Sequence, residues 1–151
     1  MRIAVVVFFT ASILLSAPGW ATDTEAPKPD REVLWQTESP TCFDPDLPLG
    51  DQLETMNRFL VGGEITEPKK IAGRLPSVEE RFRMSQAGAR PVVEFLVSED
   101  GRVELVLPAR EVASESDRIM AGVVSEWEFE PATVGGKPVC VLYTVSSTIS
   151  Y

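Results

Sequence analysis

Histidine is absent from this 151-residue chain. Its absence removes every Ser-His-Asp and Cys-His catalytic scheme, and the commonest metal ligand with them. Cysteine is scarce: Cys42 and Cys140 are the only two, and two thiolates without an imidazole cannot close a structural zinc site. Basic residues are the minority, 14 against 23 acids, for a net charge of −9. An acidic surface of that kind disfavours nucleic acid or anionic lipid as the main partner. Carboxylates, Lys, Ser and Tyr remain for catalysis, but no constellation of them stands out. We therefore expect no enzyme and no cofactor. Hydrophobic residues nonetheless reach 44%, so a packed core is expected and global disorder is not. The length suits one domain plus extras.

The long hydrophobic run lies at the N-terminus. Met1-Arg2 carries one positive charge, Ile3 to Ala17 is uncharged and mostly apolar, and small residues stand at Gly19 and Ala21. These read as the three parts of a secretory signal peptide, residues 1–21, cleaved after Ala21. The run is short for a membrane span, which needs about 20 residues. No cysteine follows it, so a lipoprotein anchor is not expected. Export places Cys42 and Cys140 in an oxidising compartment, where an even count reads as a disulfide tying an N-terminal extension to the last strand. The alternative is two separate buried thiols. Closing so long a loop contributes about 4–5 kcal/mol in the chain-entropy model.

Residues 22–60 read as a Pro-rich linker or extension. Pro27, Pro29, Pro40, Pro45 and Pro48 forbid regular helix over most of it. Thr22 to Arg31 suits a solvated tether. Val33, Leu34, Trp35, Cys42 and Phe43 are more apolar than a tether needs, so this part can dock with Cys42 as its fastening point. Leu53, Met56 and Leu60 suit one short helix from Gly50 to Phe59.

The remaining residues, 61–151, read as a folded domain centred on a β-hairpin from Pro91 to Pro108. Val93, Phe95 and Val97 alternate along one arm and Val103, Leu105 and Leu107 along the other, giving a single apolar row on one face. Asp100-Gly101 is a strong hairpin turn signal. Glu94, Glu99, Asp100 and Glu104 are expected on a solvated ribbon face and turn. A helix precedes the hairpin, with Ser77 as N-cap, Glu79 and Glu80 in the first turn and Gly88 after its end. Val78, Phe82 and Met84 form its expected apolar stripe, with Arg81 and Arg83 outward. A second helix opens with Ser114-Glu115-Ser116-Asp117 and carries Ile119, Met120, Val123, Val124 and Trp127 as the cover for the hairpin. Gly122 within it is read as allowing close approach to the sheet. After the turn residues Gly135-Gly136, Val139 to Tyr151 form the last strand. Nothing follows it, so its edge is a candidate for accepting a strand from another protein. The candidate partner-binding residues are Val139, Val141, Tyr143, Val145, Thr148, Ile149 and Tyr151.

Several of these segments together resemble the C-terminal domain of TonB and its relatives. They are Val61-Gly62-Gly63 with Pro68-Lys69-Lys70-Ile71, then Pro76, then Val92 to Val97 with Asp100-Gly101-Arg102-Val103. The most specific is Trp127-Glu128-Phe129-Glu130-Pro131-Ala132 followed by Gly136-Lys137-Pro138-Val139. The resemblance covers residues 61–151 and implies an α+β fold: two helices packed on a three-stranded antiparallel sheet, in the periplasm. It further implies a partner segment from a TonB-dependent outer-membrane receptor, or from another envelope protein, added beside the last strand during transmembrane transport. The chain departs from the family at Leu75-Pro76, where the family has Tyr-Pro. It also has no histidine-bearing anchor helix, and its spacer is short. Two alternatives stay open: an energy transducer held in the inner membrane by an uncleaved N-terminal segment, and a homodimerising structural protein that uses the same edge.

Overall fold

The computed structural model describes residues 31–58 and 62–147. Its elements in chain order are β1 (Trp35–Gln36), α1 (Leu49–Thr55), β2 (Ile65–Thr66), β3 (Lys69–Ala72), α2 (Val78–Gln86), β4 (Val92–Val97), β5 (Val103–Pro108), α3 (Glu115–Val124), β6 (Glu128–Glu130), β7 (Thr133–Val134), β8 (Lys137–Pro138) and β9 (Val141–Ser146). The class is α+β. The main antiparallel sheet has the order β1-β5-β4-β9, and two small sheets, β2-β7-β8 and β3-β6, flank it. The sequence pointed to two helices on three strands. The structure adds β1 beside β5 and lays the extension, with its short helix α1, over the second face.

The hairpin arms fall where the alternation puts them. The Ser98 N–H donates to Arg102 O and the Gly101 N–H to Ser98 O, both at 2.9 Å. Gly101 has φ +80°, and a Cβ there would lie 1.8 Å from the carbonyl oxygen of Phe129. This glycine serves the turn and also lets β6 close on it, with the Phe129 N–H donating to Gly101 O at 2.7 Å.

The single apolar row expected on β5 does not survive. Phe95 pairs with Val106, Leu96 with Leu105, but Val97 with Val103, so one extra residue is inserted in β5. A bulge of this kind switches the side-chain phase. Val103 and Val106 join Val93, Phe95 and Val97 on one face, while Leu105 and Leu107 join Leu96 on the other.

The first face is covered by α3. Ser114 and Asp117 form a capping box, and Met120, Ala121, Val123 and Val124 are buried against the strands with Trp127 and Phe129. Asp117 is fully buried. Its Oδ1 accepts the Val92 N–H at 2.8 Å, and its Oδ2 accepts the N–H and hydroxyl of Ser114, both at 2.7 Å, which ties the helix start to the start of β4. The helix α2 packs on α3, buries Met84, and accepts the Ser116 hydroxyl at the Met84 carbonyl, 3.1 Å away. Val78 and Phe82, expected in its buried stripe, are instead 74% and 60% exposed, because α2 meets α3 along a narrow line. Gly122 is exposed with open space around it, so it brings no helix closer to the sheet.

The second face is covered by the extension. Phe43 and Leu53 pack on Leu96, Leu105, Leu107 and Leu142, with Cys42, Leu49, Met56 and Cys140 around them. The expected short helix is α1, ending at Thr55. Glu104, expected in solvent, is 5% exposed. Its carboxylate accepts the Thr41 N–H at 2.9 and 3.0 Å, the Thr41 hydroxyl at 2.6 Å and the Cys42 N–H at 2.9 Å. Glu94 likewise holds the extension, paired with Arg31 at 2.6 Å and Arg58 at 3.5 Å.

The stretch between β3 and α2 is fastened to Trp127. Gly73, φ +104°, lies so close to Trp127 that a Cβ would be 2.6 Å from the indole, and Trp127 Nε1 donates to Arg74 O at 2.7 Å. The Arg74 guanidinium grips Glu80 with two bonds of 2.6 and 3.0 Å and Glu126 with one of 3.0 Å. That grip, with the Ser77 N–H, pulls the Glu80 carboxyl down to about 2.

Two outcomes are expected from this geometry. Gly122→Ala should raise unfolding stability by about 0.5–1 kcal/mol in denaturant titration, since the exposed helix site gains propensity without a clash. Glu80 is more acidic folded than unfolded, so its contribution is present above about 4.5 and fades as pH falls toward about 2. Glu80→Gln should therefore flatten the acid limb of the stability-versus-pH curve in that window.

Candidate strand-docking edge

The strand β9 lies at one margin of the main sheet, paired along its whole length with β4 from Val92↔Ser146 to Val97↔Val141. Its apolar row anchors it. Val141 is fully buried, and Tyr143 and Val145 pack on the α3 core. The Tyr143 ring meets Phe95 edge-on at 5.6 Å, and its hydroxyl donates to Glu67. Burial, then that carboxylate, pushes the phenol up to about 12. Two layers of side chains thus fix the strand.

The backbone groups on the outer side of β9 can be assigned from one bond. The Leu142 N–H donates outward, to Asn57 O at 2.8 Å. In an antiparallel ladder successive residues point their N–H and C=O to opposite sides. Leu142, Thr144 and Ser146 therefore face outward, and Val141, Tyr143 and Val145 face β4. The first position is taken, since Arg58 forms a parallel bridge with Leu142 and the Asn57 side-chain amide reaches Cys140 O at 3.2 Å. Past that bridge, no strand among the described residues pairs with the outer side at Thr144 or Ser146, and both are exposed.

A disulfide fastens the extension just before the start of β9. Cys42 and Cys140 are bonded, with Cα atoms 5.9 Å apart and 98 residues of separation. The Cys42 amide is also held by Glu104, so the same short stretch is fixed covalently and by a carboxylate. Beyond α1 a cleft of about 770 Å³ opens between Leu53, Arg31, Arg58, Glu94 and Val112. Two of its cations are spent on Glu94, which leaves a mostly satisfied polar wall.

Of the residues proposed for the partner edge, Val139 precedes the strand and donates its N–H to Ala132 O at 2.9 Å. Val141, Tyr143 and Val145 lie in β9 with their side chains toward the core, so they support the edge rather than line it. Thr148, Ile149 and Tyr151 lie outside the described residues, as does the segment read as a signal peptide. Sequence reasoning missed Leu142, Thr144 and Ser146. Side-chain alternation reveals which residues share a face, but the in-plane direction of each N–H depends on register with β4, which no pattern within β9 encodes.

No family model matches the chain, and no curated protein matches it. Among solved structures, the chain is similar to the solution NMR structure of the Pseudomonas aeruginosa TonB C-terminal domain. The identity is 26% over 57% of this chain and 90% of that one, with a TM-score of 0.37.

Replacing both Cys42 and Cys140 by Ser should cost about 2–5 kcal/mol of unfolding stability. It should also speed hydrogen exchange at the Leu142 amide, whose acceptor Asn57 loses its nearby tether. Unchanged exchange there would show that the segment is held without the disulfide.

Proposed function

We propose that this chain is an exported interaction module that binds an extended segment of a partner protein as one further strand alongside β9. The observation that supports it is the outward backbone at Thr144 and Ser146, on a strand already rigidly paired on its other side. Unpaired edge groups of this kind supply main-chain hydrogen bonds to a guest, and the flanking side chains supply selectivity. The guest would begin its pairing beyond Leu142, because Asn57 and Arg58 occupy that position.

The motifs described from the sequence make a segment of a TonB-dependent outer-membrane receptor the partner of choice in this reading, with another envelope protein as the broader class. The setting is the periplasm. No helix among the described residues is long and apolar enough to cross a membrane. Glu94 and Glu104, two acids of the hairpin, are engaged in holding the extension, which favours a binding role over an enzymatic one. Pairing of β9 with β9 of a second copy would use the same groups.

The test is NMR titration with TonB-box-like peptides. The amides of Thr144 and Ser146 should shift on binding. Thr144→Pro should abolish binding yet leave the fold intact, because the Thr144 N–H does not serve β4 and proline is tolerated on an edge strand. A peptide that binds the proline variant equally well, or shifts elsewhere only, rules the reading out. Concentration-dependent sedimentation lost in the same variant would assign the edge to a second copy instead.

A further inference from the structure

We propose that the Cys42–Cys140 disulfide is a redox latch: its reduction by a dithiol protein loosens the segment ending at Asn57–Arg58 and lengthens the docking edge of β9 by the Leu142 position. The loosening stands on the geometry alone, and its effect on a guest strand rests on the docking reading above. Two pins hold the segment between Cys42 and Asn57, and both meet the chain at the start of β9. Cys42 is bonded to Cys140. The Asn57 carbonyl accepts the Leu142 N–H at 2.8 Å, and the Asn57 side-chain amide donates to Cys140 O at 3.2 Å. The stretch between the pins carries α1, whose Leu53 is buried in the second cluster. It is therefore a loop with both ends closed on one short piece of chain, not a free arm.

Arg58 continues from Asn57 as a parallel bridge to Leu142. The chain thus offers its own backbone to the first outward group of β9, in the manner of a guest strand. A competitor of this kind blocks pairing at Leu142 for as long as it stays seated. The two pins differ in kind. The hydrogen bonds at Asn57, like the Glu104 grip on Thr41 and Cys42, open and close by local fluctuation. The disulfide does not. While it is intact the segment can lift only as a closed loop, with little gain in chain entropy. Once it is broken, the N-terminal end of the segment is restrained by the Glu104 contacts and the two-residue β1, and the lifted state gains freedom that the bond denied it.

The bond is within reach of a reductant. Cys42 and Cys140 are both half-buried, and a cleft of about 270 Å³ lined by Cys42, Thr55, Met56, Asn57 and Cys140 opens beside them. Access of this kind separates an exchangeable disulfide from one sealed in a core. A thiolate of the reductant attacks one sulfur, forms a mixed disulfide and releases the other cysteine as a thiolate. The second thiol of the reductant then displaces the remaining cysteine. Two electrons and two protons pass to Cys42 and Cys140, and the reductant ends as its own disulfide.

The experiment treats the full chain, without denaturant, with a thioredoxin-type dithiol protein. Free thiols are counted by alkylation and mass spectrometry, and single amides are followed by NMR hydrogen exchange. Both cysteines should become alkylated. Exchange at the Leu142 amide and across α1 should rise about tenfold or more, a fraction of what the chain-entropy model allows, because the Glu104 and β1 contacts stay. Amides of β4 and α3 should keep their protection, and reoxidation should restore the slow rate at Leu142. A bond that resists reduction in the folded chain, an unchanged rate at Leu142, or loss of protection in β4 and α3 at the same time overturns the latch. Cys42→Ser with Cys140→Ser should exchange like the reduced chain and ignore the dithiol. A TonB-box-like peptide then separates the latch from the docking reading. On the reduced chain it should bind several times more tightly and shift the Leu142 amide as well as those of Thr144 and Ser146. Equal affinity with no shift at Leu142 overturns the effect on the guest. A Leu142 amide freed by reduction, with no peptide bound to either form, supports the latch and overturns the docking reading.

Discussion

The β4–β5 ribbon is apolar on both faces, and the rest of the molecule follows from that. The bulge at Glu104 divides the residues of β5 between two clusters, one under α3 and one under the extension. A two-stranded ribbon with one apolar face needs a single cover, but this one needs two. The helix α3 supplies the first through a broad stripe at helical period. A proline-punctuated segment with one short helix supplies the second, and no regular element of that segment is long enough to hold itself in place.

Carboxylates solve the problem of holding it. Glu104 gathers the Thr41 and Cys42 amides and a hydroxyl, and Glu94 takes Arg31 and Arg58. Asp117 performs the same service on the other face, where it joins the start of α3 to the start of β4. An acid buried without such donors would be strongly destabilising, so each carboxylate fixes its segment in one arrangement. The disulfide then closes the extension onto the start of β9. A consequence is that the cover of the second face also caps the first position of the outer edge, while no strand among the described residues pairs with the later positions. Stability and the location of the edge are thus coupled through one strap.

Much of the fold was legible in advance for identifiable reasons. The hairpin bounds, both capped helices, Gly88 past the end of α2 and the core role of Trp127 all rest on local signals: alternation, capping chemistry and helical period. Leu142 and Thr144 carry no local signal for a place at the edge, which needed the pairing with β4. Val78 and Phe82 form a sound helical stripe, yet they face solvent. Periodicity states that a helix has an apolar side, and whether a neighbour reaches that side is a matter of how α2 is carried past α3. Glu104 shows the same limit, since a charged residue in a strand reads as solvent-facing until a docked segment arrives to surround it.

The sequence by itself determined the α+β class, the positions of the hairpin and the two main helices, and the presence of two thiols able to pair. These depend on composition and on interactions within a few residues. The tertiary structure decided the bulge, the second cover, the burial of Glu104, the exposure of the α2 stripe and which amides of β9 point outward. Each of these depends on register or on contact between segments tens of residues apart, and neither quantity is written in any local pattern.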